Sequence, residues 1–258
     1  MKFQQQLNKA CAKNNSLLCV GLDIDLSKIP QTLASQEDPI YLFNKQIINE
    51  TKDYVCAYKP NLAFYERYGN YGLSSLIKTI DLIQSLDLPV ILDAKRGDIG
   101  HSSAAYAEAI FNVFKADATT VSPYMGFDSL EPFLEYQDKG IFVLCLTSNP
   151  GAADFEKELF LKVAQKVKEW DKNKNCGLVV GATNPNELLR VREIVPDMPI
   201  LLPGVGAQKG DLKATVELGV DAQGNNAIVN SSRGIIYAES PGEAAKQLRD
   251  EINQYRYA

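Results

Sequence analysis

The chain has 258 residues, of which 45% are hydrophobic and 23% are charged, a composition typical of a globular protein with one large core. Its 27 basic and 32 acidic residues give a net charge of −5, so we expect no nucleic-acid partner, because nucleic-acid binders usually carry a basic face. No apolar run approaches the ~20 residues that cross a bilayer, and the N-terminal segment lacks the apolar stretch of a signal peptide. These features predict a cytoplasmic protein with no membrane partner.

Short apolar runs alternate along the chain with longer segments of helical period. The runs are rich in Val, Ile and Leu and lack polar alternation, which is typical of parallel strands covered on both faces. A short helix is predicted before the first run. The predicted strands are Leu17–Leu22, Tyr54–Tyr58, Val90–Leu92, Ala118–Val121, Ile141–Leu146, Leu178–Val180, Ile200–Leu202 and Ala227–Val229.

Amphipathic segments between the runs predict helices. Apolar residues repeat at helical spacing over 73–83, 106–114 and 159–170, as expected for helices that pack one face on a sheet. The last helix is predicted to begin after Ser240, because the segment 240–243 has the sequence of a capping box with proline at the first helical position.

Eight strands that alternate with helices over about 250 residues are typical of a (β/α)8 TIM barrel. The sequence therefore predicts a single barrel domain over residues 1–258, preceded by the short N-terminal helix. An open doubly wound sheet would show the same alternation, but no GxGxxG motif follows the first strand. In (β/α)8 barrels the active site lies at the carboxyl ends of the strands.

The five cysteines stand at positions 11, 19, 56, 145 and 176, without a CxxC pair. Such scattered cysteines in odd number are typical of reduced, buried thiols. The single histidine, His101, cannot supply a multi-histidine metal site, and we interpret it as a surface residue at the start of a helix. The expected chemistry therefore rests on carboxylates, lysines and arginines.

The exit of the third strand carries the densest group of charges. Asp93 and Lys95 are two residues apart, so in a regular strand their side chains point to the same side, and Asp98 follows in the loop. A surface salt-bridge cluster would show the same pattern. The apolar run directly before Asp93 favours an active site, because a charged pair that enters from a buried strand loses hydration unless it is paired.

The exits of the seventh and eighth strands are typical of a phosphate site. Pro203 and Gly204 open a glycine-rich turn whose backbone N–H groups could approach an anion. Arg233 offers a planar guanidinium suited to bidentate phosphate contact. A tight turn followed by an arginine at a helix start is the alternative interpretation of the same residues.

Five segments of the chain resemble the orotidine 5′-phosphate decarboxylase family. The arginine in the 92–100 segment, the KPN after the second strand and the NSSRG of the eighth strand resemble the subgroup called type 2. The likeness spans nearly the whole chain, with the motifs in family order. The segments are VGLDID (20–25), AYKPNLAFYE (57–66), LDAKRGDIG (92–100), PGVGAQ (203–208) and NSSRGI (230–235).

This resemblance implies decarboxylation of orotidine 5′-monophosphate to UMP and CO₂, the last step of de novo pyrimidine nucleotide synthesis, without cofactor or metal. Lys59, Asp93, Lys95 and Asp98 match the family's alternating Lys-Asp-Lys-Asp array of catalytic residues. Lys95 matches the general acid. The resemblance also implies a homodimer, in which Asp98 acts in the active site of the neighbouring subunit.

The resemblance implies a substrate-binding set as well. Asp23 matches the ribose-binding aspartate, Ser148 the pyrimidine-contacting serine, and Gln208 with Arg233 the pair that holds the phosphate. Three residues depart from the family pattern, namely Ile24, His101 and Lys209, and none of them removes a catalytic group. The further residues expected to contact substrate are Lys59, Asn61, Ser102, Pro203, Gly204 and Ser232.

Two alternatives remain open from the sequence. A metal-dependent relative, a hexulose-phosphate synthase or a ketogulonate-phosphate decarboxylase, would hold Mg²⁺ with carboxylates, but Lys59 stands where those enzymes carry a glutamate. A non-catalytic nucleotide-binding barrel would have no need of four alternating charges.

Overall fold

The structure, a computed structural model, describes residues 1–205 and 211–257. Its strands are β1 (Leu18–Gly21), β2 (Ala57–Lys59), β3 (Ile91–Arg96), β4 (Ala118–Val121), β5 (Gly140–Leu146), β6 (Cys176–Val180), β7 (Ile200–Pro203) and β8 (Ala227–Ser231). They form one eight-stranded sheet in the order β2-β1-β8-β7-β6-β5-β4-β3. Parallel bridges between Tyr58 and Val90 and between Asn61 and Asp93 join β2 to β3 and close the sheet. The predicted (β/α)8 barrel is confirmed, and the alternative, an open doubly wound sheet, is excluded.

Helices cover the outside of the barrel between successive strands. A π-helix (Ala109–Val113) continues α6, and two short 3₁₀ helices span Leu26–Lys28 and Pro150–Asp154. The helices predicted at the N-terminus and over 73–83, 106–114 and 159–170 are confirmed. The α-helices are α1 (Phe3–Asn14), α2 (Gln31–Ala34), α3 (Pro39–Thr51), α4 (Ala63–Glu66), α5 (Gly69–Ser85), α6 (Gly100–Glu108), α7 (Phe127–Leu134), α8 (Glu156–Trp170), α9 (Pro185–Ile194), α10 (Leu212–Gly219), α11 (Arg233–Ile236) and α12 (Pro241–Tyr255).

Two strand boundaries differ from the prediction by three or more residues, and the other differences are of one or two residues. β2 begins at Ala57 rather than Tyr54, because the Tyr54 N–H donates to the Thr51 carbonyl in the turn that ends α3. β3 continues past Leu92 to Arg96, so the charged residues at its exit belong to the strand itself. The start of β2 and the end of β3 were predicted from apolar residues alone. That pattern does not reveal a turn before a strand or polar residues that continue one.

The last helix begins where the sequence predicts but not in the predicted way. Pro241 stands at its first position, and the side chain of the N-cap residue Ser240 accepts no capping hydrogen bond. The Ser240 carbonyl accepts from the Ala244 N–H at 3.0 Å. The predicted capping box is therefore wrong, whereas proline at the first helical position is confirmed, because its fixed φ suits a helix start.

Buried apolar side chains fill the barrel and the layer between sheet and helices. All five cysteines are free and buried, as predicted. Burial raises the pKa of Cys19 and of Cys145 to about 12, so both remain thiols at neutral pH.

Within the described residues, no helix is long and apolar enough to cross a membrane.

Candidate active site

The exits of β1, β2 and β3 lie side by side at the carboxyl end of the barrel. Gly21 of β1 is in register with Lys59, the last residue of β2, and Asn61 pairs with Asp93 across the closure of the sheet. Because side chains alternate along a strand, Lys59, two residues before Asn61, lies on the same face of the sheet as Asp93. The charges that the sequence places at strand ends therefore meet in one cluster.

Asp93 is the centre of this cluster and is 7% exposed. Its Oδ2 accepts from Lys59 Nζ at 3.1 Å. Its Oδ1 accepts from Lys95 Nζ at 2.6 Å and from the Thr120 hydroxyl at 2.7 Å. Two ammonium groups and one hydroxyl, from three neighbouring strands, thus compensate one buried carboxylate, as a buried charge requires.

The electrostatics of the cluster favour the charged form of both buried members. Burial opposes ionisation of Asp93, but the charges of Lys59 and Lys95 and the hydrogen bonds from Lys95 and Thr120 hold the pKa of Asp93 well below its usual range. Burial likewise opposes the ammonium form of Lys59, but Asp93 and Asp23 hold the pKa of Lys59 above its usual value. Asp93 and Lys59 are therefore both ionised throughout the neutral range.

Lys95 is the reachable cation of the cluster. Its side chain is 46% exposed, whereas that of Lys59 is 5% exposed. The sequence predicts that Asp93 and Lys95 share a face through regular alternation, and the two side chains do meet. The reason is different, because Lys95 has φ +48° and the pairing of β3 with β4 shifts register between Leu92 and Arg96. A non-glycine residue in this left-handed region is strained by roughly 1–3 kcal/mol.

Asp98, the fourth residue of the predicted array, does not join the other three. It lies in the loop after β3, where its Oδ1 accepts a hydrogen bond from the Ile99 N–H at 2.8 Å. Within the part of the chain that the structure describes, Asp98 forms no ion pair with Lys59 or Lys95. The array within this chain is therefore Lys59–Asp93–Lys95.

The exits of β1 and β8 pack tightly against each other. A Cβ on Gly21 would lie 1.8 Å from Ser232 Oγ and 3.4 Å from Asn230 Oδ1, so glycine is required at position 21. Asp23 Oδ1 and Asn230 Oδ1 are buried and accept no hydrogen bond from the described residues. Two unused acceptors at the mouth suit a ligand that carries hydroxyl or N–H donors.

The exits of β7 and β8, which carry the predicted phosphate residues that the structure describes, lie on adjacent strands. Pro203 ends β7 in register with Asn230 of β8, and Gly204 follows with φ +100°. Arg233 is the first residue of α11 and is exposed. Gln208 lies outside the described residues, as does Lys209.

The other predicted binding residues follow the carboxyl ends of β2, β3 and β5. Ser148 follows β5, and a Cβ on Gly181 would come within 2.9 Å of its backbone nitrogen. Asn61 follows β2, and its Oδ1 accepts from the Ala63 N–H at 3.2 Å. Ser102 is exposed in the first turn of α6. His101 is also exposed in α6, which confirms its interpretation as a surface residue.

Two residues of this site, Thr120 and Asn230, were not predicted from the sequence. Thr120 falls inside the predicted strand Ala118–Val121, and Asn230 falls inside the NSSRGI motif. A polar residue inside an otherwise apolar strand of a barrel is the signal that could have found both, because interior polar groups need a partner or a function.

The fold and the cluster together define a (β/α)8-barrel enzyme whose site is built on the exits of neighbouring strands. The chain belongs to the orotidine 5′-phosphate decarboxylase / HUMPS family, whose model matches residues 16–248. This finding confirms the resemblance stated from the motifs.

Relatives of known name align over the full chain. An orotidine 5′-phosphate decarboxylase of Dehalococcoides mccartyi is 50% identical, over 99% of each chain. That of Cupriavidus metallidurans is 46% identical, over 100% of each. Among solved structures, the OMP decarboxylase of Leishmania donovani has a TM-score of 0.90 at 43% identity, over 100% of both chains. A putative orotidine-monophosphate decarboxylase of Toxoplasma gondii has a TM-score of 0.93 at 37% identity, over 98% of this chain and 96% of that one.

Proposed function

We propose that this chain converts orotidine 5′-monophosphate to UMP and CO₂, the last step of de novo pyrimidine nucleotide synthesis. The observation that carries the proposal is the Lys59–Asp93–Lys95 cluster, in which one buried carboxylate contacts two ammonium groups at 3.1 and 2.6 Å. The names of the relatives at 46–50% identity support the same reaction.

The reaction breaks the bond between C6 of the pyrimidine and its carboxylate. The electron pair stays on C6, so a carbanion forms without an ordinary electron sink, and CO₂ leaves. A fixed ammonium beside C6 stabilises this charge electrostatically. Its proton then moves to C6 to give UMP, and solvent reprotonates the amine.

Lys95 is the residue that we assign to this role. Its ammonium is reachable from the barrel mouth, and its contact with Asp93 fixes its position. Asp93 would lie beside the departing carboxylate. Lys59 contacts Asp93 and compensates its buried charge. It is also under the charge of Asp23, so it would border the ribose.

Asp98 is proposed to complete the site of a second subunit in a homodimer. The support is that, among the described residues, Asp98 forms no ion pair with Lys59 or Lys95, while Ile99 beside it is exposed. A twofold dimer would give each active site Lys95 from one chain and Asp98 from the other.

The substrate is proposed to lie across the barrel mouth. Asp23 would bind the ribose through its unused Oδ1, and Ser148 would contact the pyrimidine. Asn61 and Ser102 would make further contacts with the nucleotide. The phosphate is assigned to Pro203, Gly204, Gln208, Ser232 and Arg233. Contacts to a group remote from C6 contribute binding energy that the transition state can use.

The metal-dependent relatives are the second candidate that the family itself raises. They would need a cation next to the carboxylates of the site. In this chain the Lys59 ammonium already contacts Asp93 Oδ2 at 3.1 Å, and a lysine at that position repels a divalent cation. This contact favours the metal-independent reaction.

We also propose a cytoplasmic location. All five thiols are free and buried, which suits a reducing compartment.

The proposed function is tested by incubating the purified chain with orotidine 5′-monophosphate. We expect loss of the substrate's ultraviolet absorbance together with equimolar UMP and CO₂. A chain that binds the nucleotide but forms no UMP would instead be a nucleotide-binding barrel.

The role of Arg233 is tested by its replacement with alanine. Arg233→Ala removes a proposed phosphate contact, so it should lower kcat/KM for the nucleotide by about 100-fold or more. Because that contact is remote from C6, kcat/KM for the phosphate-free nucleoside should change less than about threefold. Arg190→Ala, an exposed arginine stacked on Phe160 outside the site, serves as the control. An equal loss of kcat/KM on both substrates would contradict the phosphate contact. It would show that Arg233 stabilises the fold or contacts the reacting pyrimidine ring.

A further inference from the structure

Thr120 of β4 lies inside the barrel mouth, against the cluster, and is 1% exposed. Its hydroxyl makes two hydrogen bonds to β3. It accepts from the Lys95 N–H at 3.0 Å, and it donates to Asp93 Oδ1 at 2.7 Å. One side chain therefore contacts the backbone of one member of the cluster and the carboxylate of another.

These bonds cross the irregular part of the sheet. Leu92 is in register with Thr119, and Arg96 with Val121, so the three residues 93–95 of β3 stand opposite Thr120 alone. Such a bulge re-aims the side chain that it carries. The Lys95 backbone sits in the left-handed region at φ +48°, and a conformation of this kind persists only where its surroundings hold it.

A hydroxyl is suited to both contacts at once. It has one proton and two lone pairs, so it can accept from a backbone N–H while it donates to a carboxylate. Valine has nearly the same shape as threonine but can neither donate nor accept a hydrogen bond through its side chain. Serine can do both.

We propose that Thr120 is a positioning residue, whose hydroxyl fixes the bulge at Lys95 and the orientation of Asp93 and thereby holds Lys95 Nζ at the reacting carbon. The inference rests on the proposed function, because it assigns Thr120 a part in the same decarboxylation. Thr120 acts through Asp93 and Lys95 and needs no contact with the substrate.

The neighbouring Thr119 supplies a matched control. It is on the same strand and is 0% exposed, and its hydroxyl donates to the Leu92 carbonyl at 2.8 Å. Thr119→Val therefore removes a buried hydrogen bond between the same two strands without touching Asp93 or Lys95.

The experiment compares the wild-type chain with Thr120→Val, Thr120→Ser and Thr119→Val on orotidine 5′-monophosphate, with UMP binding measured for each. Thr120→Val should lower kcat by about 10- to 100-fold, the scale of a misplaced catalytic group, with KM and UMP affinity changed less than about threefold. Thr120→Ser and Thr119→Val should keep kcat within about threefold of the wild type.

Three results would overturn the proposal. One is a Thr120→Val chain whose kcat matches that of Thr119→Val, and another is a loss that serine fails to restore. The third is loss of UMP binding by Thr120→Val, since that shows a purely structural role. An inactive wild-type chain contradicts the proposed function instead, so the two failures are distinguishable.

Discussion

Replacement of Lys95 by alanine should reduce turnover of orotidine 5′-monophosphate by at least about a thousandfold, or ~4 kcal/mol of transition-state stabilisation. In the proposed mechanism, the substitution removes both the charge that stabilises the carbanion and the proton that C6 receives. The fold should survive, because Asp93 keeps its hydrogen bonds from Lys59 and Thr120. Initial rates, with a melting temperature for each protein, measure both effects.

Lys166→Ala is the matched control for this experiment. The Lys166 side chain is 47% exposed and contacts Glu169 at 2.6 Å, whereas that of Lys95 is 46% exposed and contacts Asp93 at 2.6 Å. The two lysines match in exposure and in contact distance but differ in position and in the burial of the carboxylate they contact, so Lys166→Ala should leave turnover unchanged. A Lys95→Ala chain that retains more than about 10% of activity, a loss of only ~1.4 kcal/mol, excludes Lys95 as the general acid.

Mixing two inactive variants should restore activity if Asp98 acts across a dimer. Lys95→Ala and Asp98→Ala should each be nearly inactive alone. In a heterodimer of the two, one site carries both substitutions and the other carries neither. With random pairing about half of the dimers are mixed, so about a quarter of all sites regain wild-type composition, as twofold symmetry requires.

The activity of the mixture, with subunit exchange followed by mass-tagged chains, measures this effect. If Asp98 acts within its own chain, every site keeps one substitution and exchange restores nothing. That outcome contradicts the trans assignment while leaving the assignment of Lys95 intact.

The barrel could be predicted because its strands are covered on both faces and therefore read as uninterrupted apolar runs. The site could be located because charged residues directly follow those runs, as Asp93 follows PVIL. The fold and the location of the candidate site both follow from the order of residue types along the chain, which can be read from the sequence.

The geometry inside the site could not be predicted in the same way. The left-handed Lys95 depends on a register shift against β4, and the contact of Thr120 with Asp93 joins residues of different strands. These features arise from tertiary pairing rather than from local pattern. The Ser240 cap fails for a related reason, since a local motif fixes the helix start without fixing the direction of the hydroxyl.

The central claim is that the chain's own lysines supply the positive charge of the reaction. It is tested most directly by following CO₂ release from orotidine 5′-monophosphate in excess EDTA, before and after addition of Mg²⁺. We expect the same rate in both conditions, because the Lys59 and Lys95 ammonium groups contact Asp93 where a metal-dependent site would bind its cation. Release that stops in EDTA and returns with Mg²⁺ would contradict the claim and assign the chain to the metal-dependent branch of its family.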